Sequence, residues 1–114
     1  SWVEKKIHDV ANQFIKENGK NPIIGCLGLT FKPNVDDIRE SPAKKIVDNL
    51  ISAGLKLIIC EPNLKNIQNI NLDTIDNVIH KSDLIVFLVA HDEFKKLNLE
   101  NKNFMDFCGV SKFL

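Results

Sequence analysis

The chain has no apolar run approaching the about eighteen residues of a membrane span, and its amino terminus lacks the basic-then-apolar order of a secretory leader. A soluble, cytoplasmic protein is the expectation. Neither charge is in excess. Fifteen basic and fifteen acidic residues balance to a formal charge of zero, and neither sign forms a block, which argues against phosphate-backbone binding to nucleic acid. Any anion site must therefore be local. Cysteine is sparse: Cys26, Cys60 and Cys108 are widely spaced, with no C-x-x-C pair and no neighbouring histidine. No metal cage is encoded, and all three read as packing or bystander thiols. Repeats, low-complexity segments and internal linkers are absent too, and 114 residues make one domain with one core.

What the chain does have is alternation. Val3, Ile7, Val10, Ala11 and Phe14 form one stripe of a helix that Gly19 and Pro22 end. "IIGCLGL", Ile23 to Leu29, is apolar throughout and too short for a helix, as expected of a parallel strand covered on both faces. Ser41 can cap a second helix that opens on Pro42, runs to about Ala53 and stops at Gly54. "KLIIC", Lys56 to Cys60, is a second strand, and Asp73 is placed to cap a short helix through about His80. "LIVFLVA", Leu84 to Ala90, gives a third strand, "EFKKL" another short helix, and "NFMDF", Asn103 to Phe107, a fourth strand. The order implies an α/β fold, a Rossmann-like, open, mostly parallel sheet with helices on both faces, preceded by an extra helix.

The long loop between the first strand and its helix, Gly28 to Ser41, concentrates charge at the edge where such sheets bind ligands. A plain connection needs only two to six residues, so a binding surface is expected. Gly25 and Gly28 give G-x-x-G rather than the dinucleotide G-x-G-x-x-G. They permit either close packing or a phosphate contact, and the latter would rest on Lys32, Arg39 and amides near Ser41. Asp36 and Asp37 are read as partners of Lys32 and Arg39 that, with Glu40, hold the loop in shape, rather than as an acid/base pair or metal ligands. Glu61 stands where nucleotide folds place a ribose-binding acid, though "EP" also starts turns. His91 lies on the ligand edge and reads as a loop or capping residue. Trp2 reads as a packing anchor or the edge of an interface.

"LGLTFKPNVDDIRESPA", Leu27 to Ala43, closely resembles the signature of the carboxyl-terminal domain of nucleotide-sugar dehydrogenases, the NAD-dependent UDP-glucose, GDP-mannose and UDP-N-acetylmannosamine 6-dehydrogenases. "CEPN", Cys60 to Asn63, and "MDFCGV", Met105 to Val110, extend the likeness, and the spelling is most similar to the UDP-N-acetylmannosamine branch. The resemblance implies residues 1–20 as the end of a central linking helix and residues 21–114 as a UDP-sugar-binding domain. It also implies that the chain is a fragment without the NAD fingerprint domain or the family's catalytic cysteine, inactive alone, and homodimeric in the full enzyme. By the same resemblance Phe31 and Lys32 contact the nucleotide-sugar and Arg39 reaches the NAD side, with no catalytic residue in this chain. Many relatives carry arginine in a D-x-R-G segment where this chain has Cys108 before Gly109, which puts that contact in question. The competing reading is a stand-alone receiver-like or nucleotide-binding regulatory module, although neither Leu29 nor Ala90 supplies a receiver's acid.

Overall fold

A computed structural model describes residues 1–114. The first helix, α1, spans Trp2–Asn18. Ser1 caps it by accepting the Glu4 N–H, and Gly19, at φ 71°, takes the left-handed conformation that ends it. Strand β1, Ile23–Leu27, follows at once. Helix α2, Pro42–Ser52, begins as its sequence demands, with Ser41 accepting the Lys44 N–H and proline where no donor is missed. β2 is Lys56–Cys60, α3 is Ile75–Lys81, β3 is Leu84–Phe87 and β4 is Asn103–Asp106. Single 3₁₀ segments cover Asp92–Lys96 and Val110–Phe113.

The four strands form one parallel sheet in the order β2-β1-β3-β4. β1 is central, pairing Ile24 with Leu57 on one side and with Leu84 on the other. Side-chain alternation divides each inner strand between two cores. Ile24, Cys26, Leu84 and Val86 pack with Ile7 and Ala11 of α1 and Val47 and Leu50 of α2. Leu27, Ile85 and Phe87 pack with Val78 of α3, Phe94 and Val110. Both faces are thus covered, and this is why the inner strands read as unbroken apolar runs. No helix is long and apolar enough to cross a membrane.

Several elements differ in detail from expectation. β1 and β3 stop at Leu27 and Phe87, although Leu29 and Val89 beyond them remain buried. The cap of α3 is Thr74, whose side chain accepts the Asn77 N–H, rather than Asp73, which instead accepts from the Thr74 N–H and the Asn77 side chain. "EFKKL" forms a 3₁₀ segment and not an α-helix.

Candidate functional site

From β1 the chain runs outward through α2 to β2, then returns across β1 through α3 to β3. The connections leaving the carboxyl ends of β1 and β3 therefore diverge, which opens a crevice between them. Its walls are the loop of residues 28–41 and the segment of residues 88–91. Gly28, at φ +101°, is the point of closest approach: a Cβ there would lie 2.6 Å from Val89 Cβ and 2.8 Å from its backbone nitrogen. Only glycine fits. Gly25 is a packing glycine as well, since a Cβ on it would meet Val78 Cγ1 of α3 at 2.6 Å. It lies inside β1 and not at a strand-to-helix turn, so no dinucleotide cradle forms around it.

Beneath the crevice, the side chains of Glu61 and His91 are both fully buried. Glu61 Oε1 accepts the N–H groups of Leu29 at 2.8 Å and Thr30 at 3.2 Å, and its Oε2 accepts the Asn63 N–H at 2.8 Å. His91 Nε2 lies 2.8 Å from the same Oε1, and Nδ1 accepts the Asn34 N–H at 2.9 Å. The Asn34 side chain answers by accepting the Asp92 N–H at 2.9 Å. Burial raises the pKa of Glu61, but the hydrogen bonds from His91, Leu29 and Asn63 outweigh it and leave the carboxyl below its ordinary value. The result is a buried carboxylate with its lone pairs satisfied, as burial of a charge requires. Glu61 is thus committed to His91 and the loop backbone, and its carbonyl accepts the Leu64 N–H, which favours the turn reading of "EP" over ribose contact. His91 does tie loops together.

The charged loop is pinned at several further points. The Phe31 N–H donates to the Asp37 carbonyl at 2.7 Å, the Thr30 hydroxyl to the Lys32 carbonyl at 3.0 Å, and the Ser41 hydroxyl to the Leu29 carbonyl at 2.7 Å. Of the three acids expected to shape it, only Asp37 acts so, taking the Arg39 backbone N–H and two guanidinium nitrogens at 2.9 to 3.1 Å. The side-chain hydrogen bond from Arg39 leads the causes that hold the Asp37 carboxyl below its ordinary range. Asp36 and Glu40 remain exposed, and neither pairs with Lys32 or Arg39. Lys32 makes no ion pair at all.

Phe31 is 53% exposed and stands on the ridge between two depressions. One, about 230 Å³ in volume, lies at the mouth of the crevice and is lined by Phe31, Lys32, Pro33, Pro42, Leu88, Val89, Ala90 and Cys108 among others. The other is lined by Phe31, Asp37, Arg39 and Glu40. Lys32 and Arg39, both expected to serve a ligand, therefore face different depressions that share the phenyl ring. Cys108 enters the first because Asp106, at the end of β4, gathers the N–H groups of Cys108, Gly109, Val110 and Ser111 on its carboxylate. Burial opposes ionisation of Asp106, and the Ser111, Cys108 and Val110 hydrogen bonds overcome it to push the pKa far down. Burial, followed by the Asp106 charge, pushes the Cys108 thiol up to about 12, so the groove is lined by a neutral thiol and not a nucleophilic thiolate. Cys26 is buried in the core, where desolvation alone pushes its thiol up to about 12. Trp2 is 66% exposed and packs edge-to-face on Phe107.

Residues 25–111 match the family model described as the UDP binding domain of the UDP-glucose/GDP-mannose dehydrogenase family. An NDP-N-acetyl-D-galactosaminuronic acid dehydrogenase from Ralstonia nicotianae is 34% identical over 104 residues, covering 87% of this chain and 23% of that protein. A UDP-N-acetyl-D-mannosamine dehydrogenase from Campylobacter jejuni is 35% identical over 114 residues, covering 93% of this chain and 25% of that protein. The chain thus spans about a quarter of the length of these curated relatives. The structure of a UDP-D-ManNAc dehydrogenase from Pyrococcus horikoshii superposes with a TM-score of 0.73 at 24% identity over 94% of this chain and 27% of that one, a likeness of fold.

Proposed function

Since the chain belongs to the UDP-glucose/GDP-mannose dehydrogenase family, we propose that it is the UDP-sugar-binding part of an NAD-dependent nucleotide-sugar 6-dehydrogenase whose substrate is UDP-N-acetylmannosamine. Residues 21–114 form the binding domain, and residues 1–20 end a helix that joins it to the rest of a homodimeric enzyme. One observation carries the reading: Phe31 and Lys32 line the groove at the mouth of the sheet's crevice, on a loop fixed by hydrogen bonds to its own backbone and to Glu61 and His91. An unpaired lysine beside an exposed aromatic ring suits a pyrophosphate joined to a uracil base. A fixed loop also loses little entropy when the ligand arrives.

NAD supplies the hydride acceptor in such an enzyme, and the residues present here do not form a pyrophosphate cradle for it, Gly25 being packed against α3. Arg39, 87% exposed, instead faces outward from the second depression, toward a cofactor held by another part of the enzyme. The relatives named for N-acetylated sugars support an N-acetylhexosamine substrate over UDP-glucose. They also disfavour the receiver-like alternative.

Calorimetric titration of the chain with UDP is the test. Weak binding is expected, because one wall of a cleft is offered, and Lys32→Ala should weaken it on the order of tenfold to a hundredfold, the effect of losing one charge-assisted hydrogen bond. In the full enzyme that loss should fall on the UDP-sugar, while Arg39→Ala should fall on NAD. The chain alone, given both ligands, should form no NADH. A chain that does not bind UDP, or a Lys32→Ala variant that binds it unchanged, refutes the assignment.

A further inference from the structure

His91 does not line the groove, yet it contacts Thr30 and Asn34, the residues on either side of the Phe31, Lys32 and Pro33 wall. Each ring nitrogen meets both the loop after β1 and the segment after β2, Nε2 through the Thr30 hydroxyl at 3.2 Å and Glu61, Nδ1 through Asn34 and Asn63, and these surroundings fix the proton. A backbone N–H can only donate, so the Asn34 amide at 2.9 Å requires a bare lone pair on Nδ1. The side-chain amide of Asn63, 3.2 Å from the same atom, agrees with that. The hydrogen must then sit on Nε2, directed at Glu61 Oε1 at 2.8 Å. The Phe94 ring, with its centroid 5.4 Å away, packs beside the imidazole.

We propose that His91, held as the neutral Nε2–H tautomer, is a positioning residue that places Phe31 and Lys32 by presenting the Nδ1 lone pair to Asn34. The proposal rests on the reading that this loop binds the UDP-sugar. Residues 31–33 are bracketed by Thr30, whose N–H goes to Glu61, and Asn34, whose N–H goes to His91, and the Thr30 hydroxyl that holds the Lys32 carbonyl itself lies 3.2 Å from His91 Nε2. Asn34 also adopts φ 62° and takes the Asp92 N–H on its side chain, so the bond to His91 is one half of a reciprocal clasp. A rigid ring that donates at one end to a buried carboxylate and accepts at the other from a backbone amide joins the ends of β2 and β3 to the loop after β1. Among neutral side chains, asparagine can reproduce the Nδ1 end and glutamine the Nε2 end, but neither reproduces both.

The experiment is done on this chain. Nitrogen-15 NMR of the labelled imidazole at neutral pH should show a pyridine-type Nδ1 and a pyrrole-type Nε2; the reversed tautomer, or a doubly protonated ring, overturns the proposal. UDP titrations of two variants then separate positioning from mere stability. His91→Asn should melt earlier yet keep UDP affinity within about threefold, whereas His91→Gln, which leaves the Asn34 amide without an acceptor, should weaken UDP about tenfold or more, the loss of a hydrogen bond. Equal affinity in His91→Gln and parent overturns the proposal alone, while a parent that does not bind UDP overturns the reading of the loop itself. Should His91→Gln not fold, the clasp is read from the other side by replacing the peptide bond between Pro33 and Asn34 with an ester, which removes only the N–H that His91 Nδ1 accepts and keeps every side chain. That variant should weaken UDP about tenfold or more, the loss of one hydrogen bond to the ring. UDP affinity equal to the parent's overturns the proposal.

Discussion

Glu61→Gln changes one oxygen to nitrogen at a fully buried carboxylate that accepts four hydrogen bonds. In the parent, Oε1 takes donors from Leu29, Thr30 and His91 and Oε2 takes one from Asn63. Glutamine can turn its carbonyl to the first three, but its amide then confronts the Asn63 N–H, and the bonds that remain lose the help of the charge. A bond to a charged group contributes roughly 1.5–3 kcal/mol against roughly 0.5–1.5 for a neutral one, so three weakened bonds lose about 3 kcal/mol between them. Relief from burying a charge offsets part of this. The sign survives, because the Glu61 pKa is lowered overall and the ionised form is therefore the one the fold prefers. A net loss of about 2 kcal/mol is expected, and in a domain of this size that lowers the melting temperature by roughly 8–16 °C.

Urea unfolding followed by circular dichroism, at pH 7 and again toward pH 3, is the assay. A carboxyl with a lowered folded pKa stabilises fully above its unfolded value of about 4.3 and loses that contribution as pH falls through the folded value. The parent should therefore lose its advantage over Glu61→Gln in acid. A variant within about 0.5 kcal/mol of the parent at pH 7, or a gap that stays constant into acid, refutes the reasoning, since surface substitutions alone produce that little change.

Gly28→Ala should destabilise by roughly 2–4 kcal/mol, because both its positive φ and Val89 resist a Cβ; a denaturation midpoint equal to the parent's contradicts the close approach of the two loops. Asp37→Asn should leave the melting temperature within about 2 °C, as exposed ion pairs add little, and should instead release Arg39, visible as faster side-chain motion by NMR. Asp106→Asn should cost about 1 kcal/mol, the scale of a lost cap on a partly exposed turn. The parent's Asp106 contribution should also fade below about pH 4, its folded pKa being lowered, and an acid profile identical in parent and variant argues against that role.

Much of the fold was legible because its punctuation is local. Ser1, Gly19, Ser41 and Pro42 act within a few residues of where they stand, and α1 and α2 begin and end where they direct. Apolar runs report burial rather than pairing, and so β1 and β3 read two or three residues too long at Leu29 and Val89, which are buried beyond the last ladder bond. Asp73 and Thr74 are both competent caps, and only the path of the chain into α3 selects between them. The loop announced itself as a surface by its charge, but which acid shapes it depends on side-chain direction: Asp37 turns back on Arg39 and Asp36 does not. The Glu61–His91 bond joins residues 30 apart in the chain. Its one trace in the sequence is that both residues follow closely on strands flanking β1, and that has meaning only once the strand order is known.

That strand order also governs how the chain must assemble. β1 is made early but is finished late. Its first partner, β2, arrives after one helix, whereas β3 must close the other edge across a separation of 60 residues, the span of the Ile23 amide's bond to Asp83. Contacts of such range slow folding. During synthesis, a nascent chain that has released β1, α2 and β2 presents an open edge flanked by the apolar side chains of Ile24, Cys26 and Leu27. Such edges pair with other chains as readily as with their own. Yield in the cell should consequently depend on how quickly residues 84–87 clear the ribosome, and slow codons placed between β2 and β3 should lower soluble expression more than the same codons placed after β4.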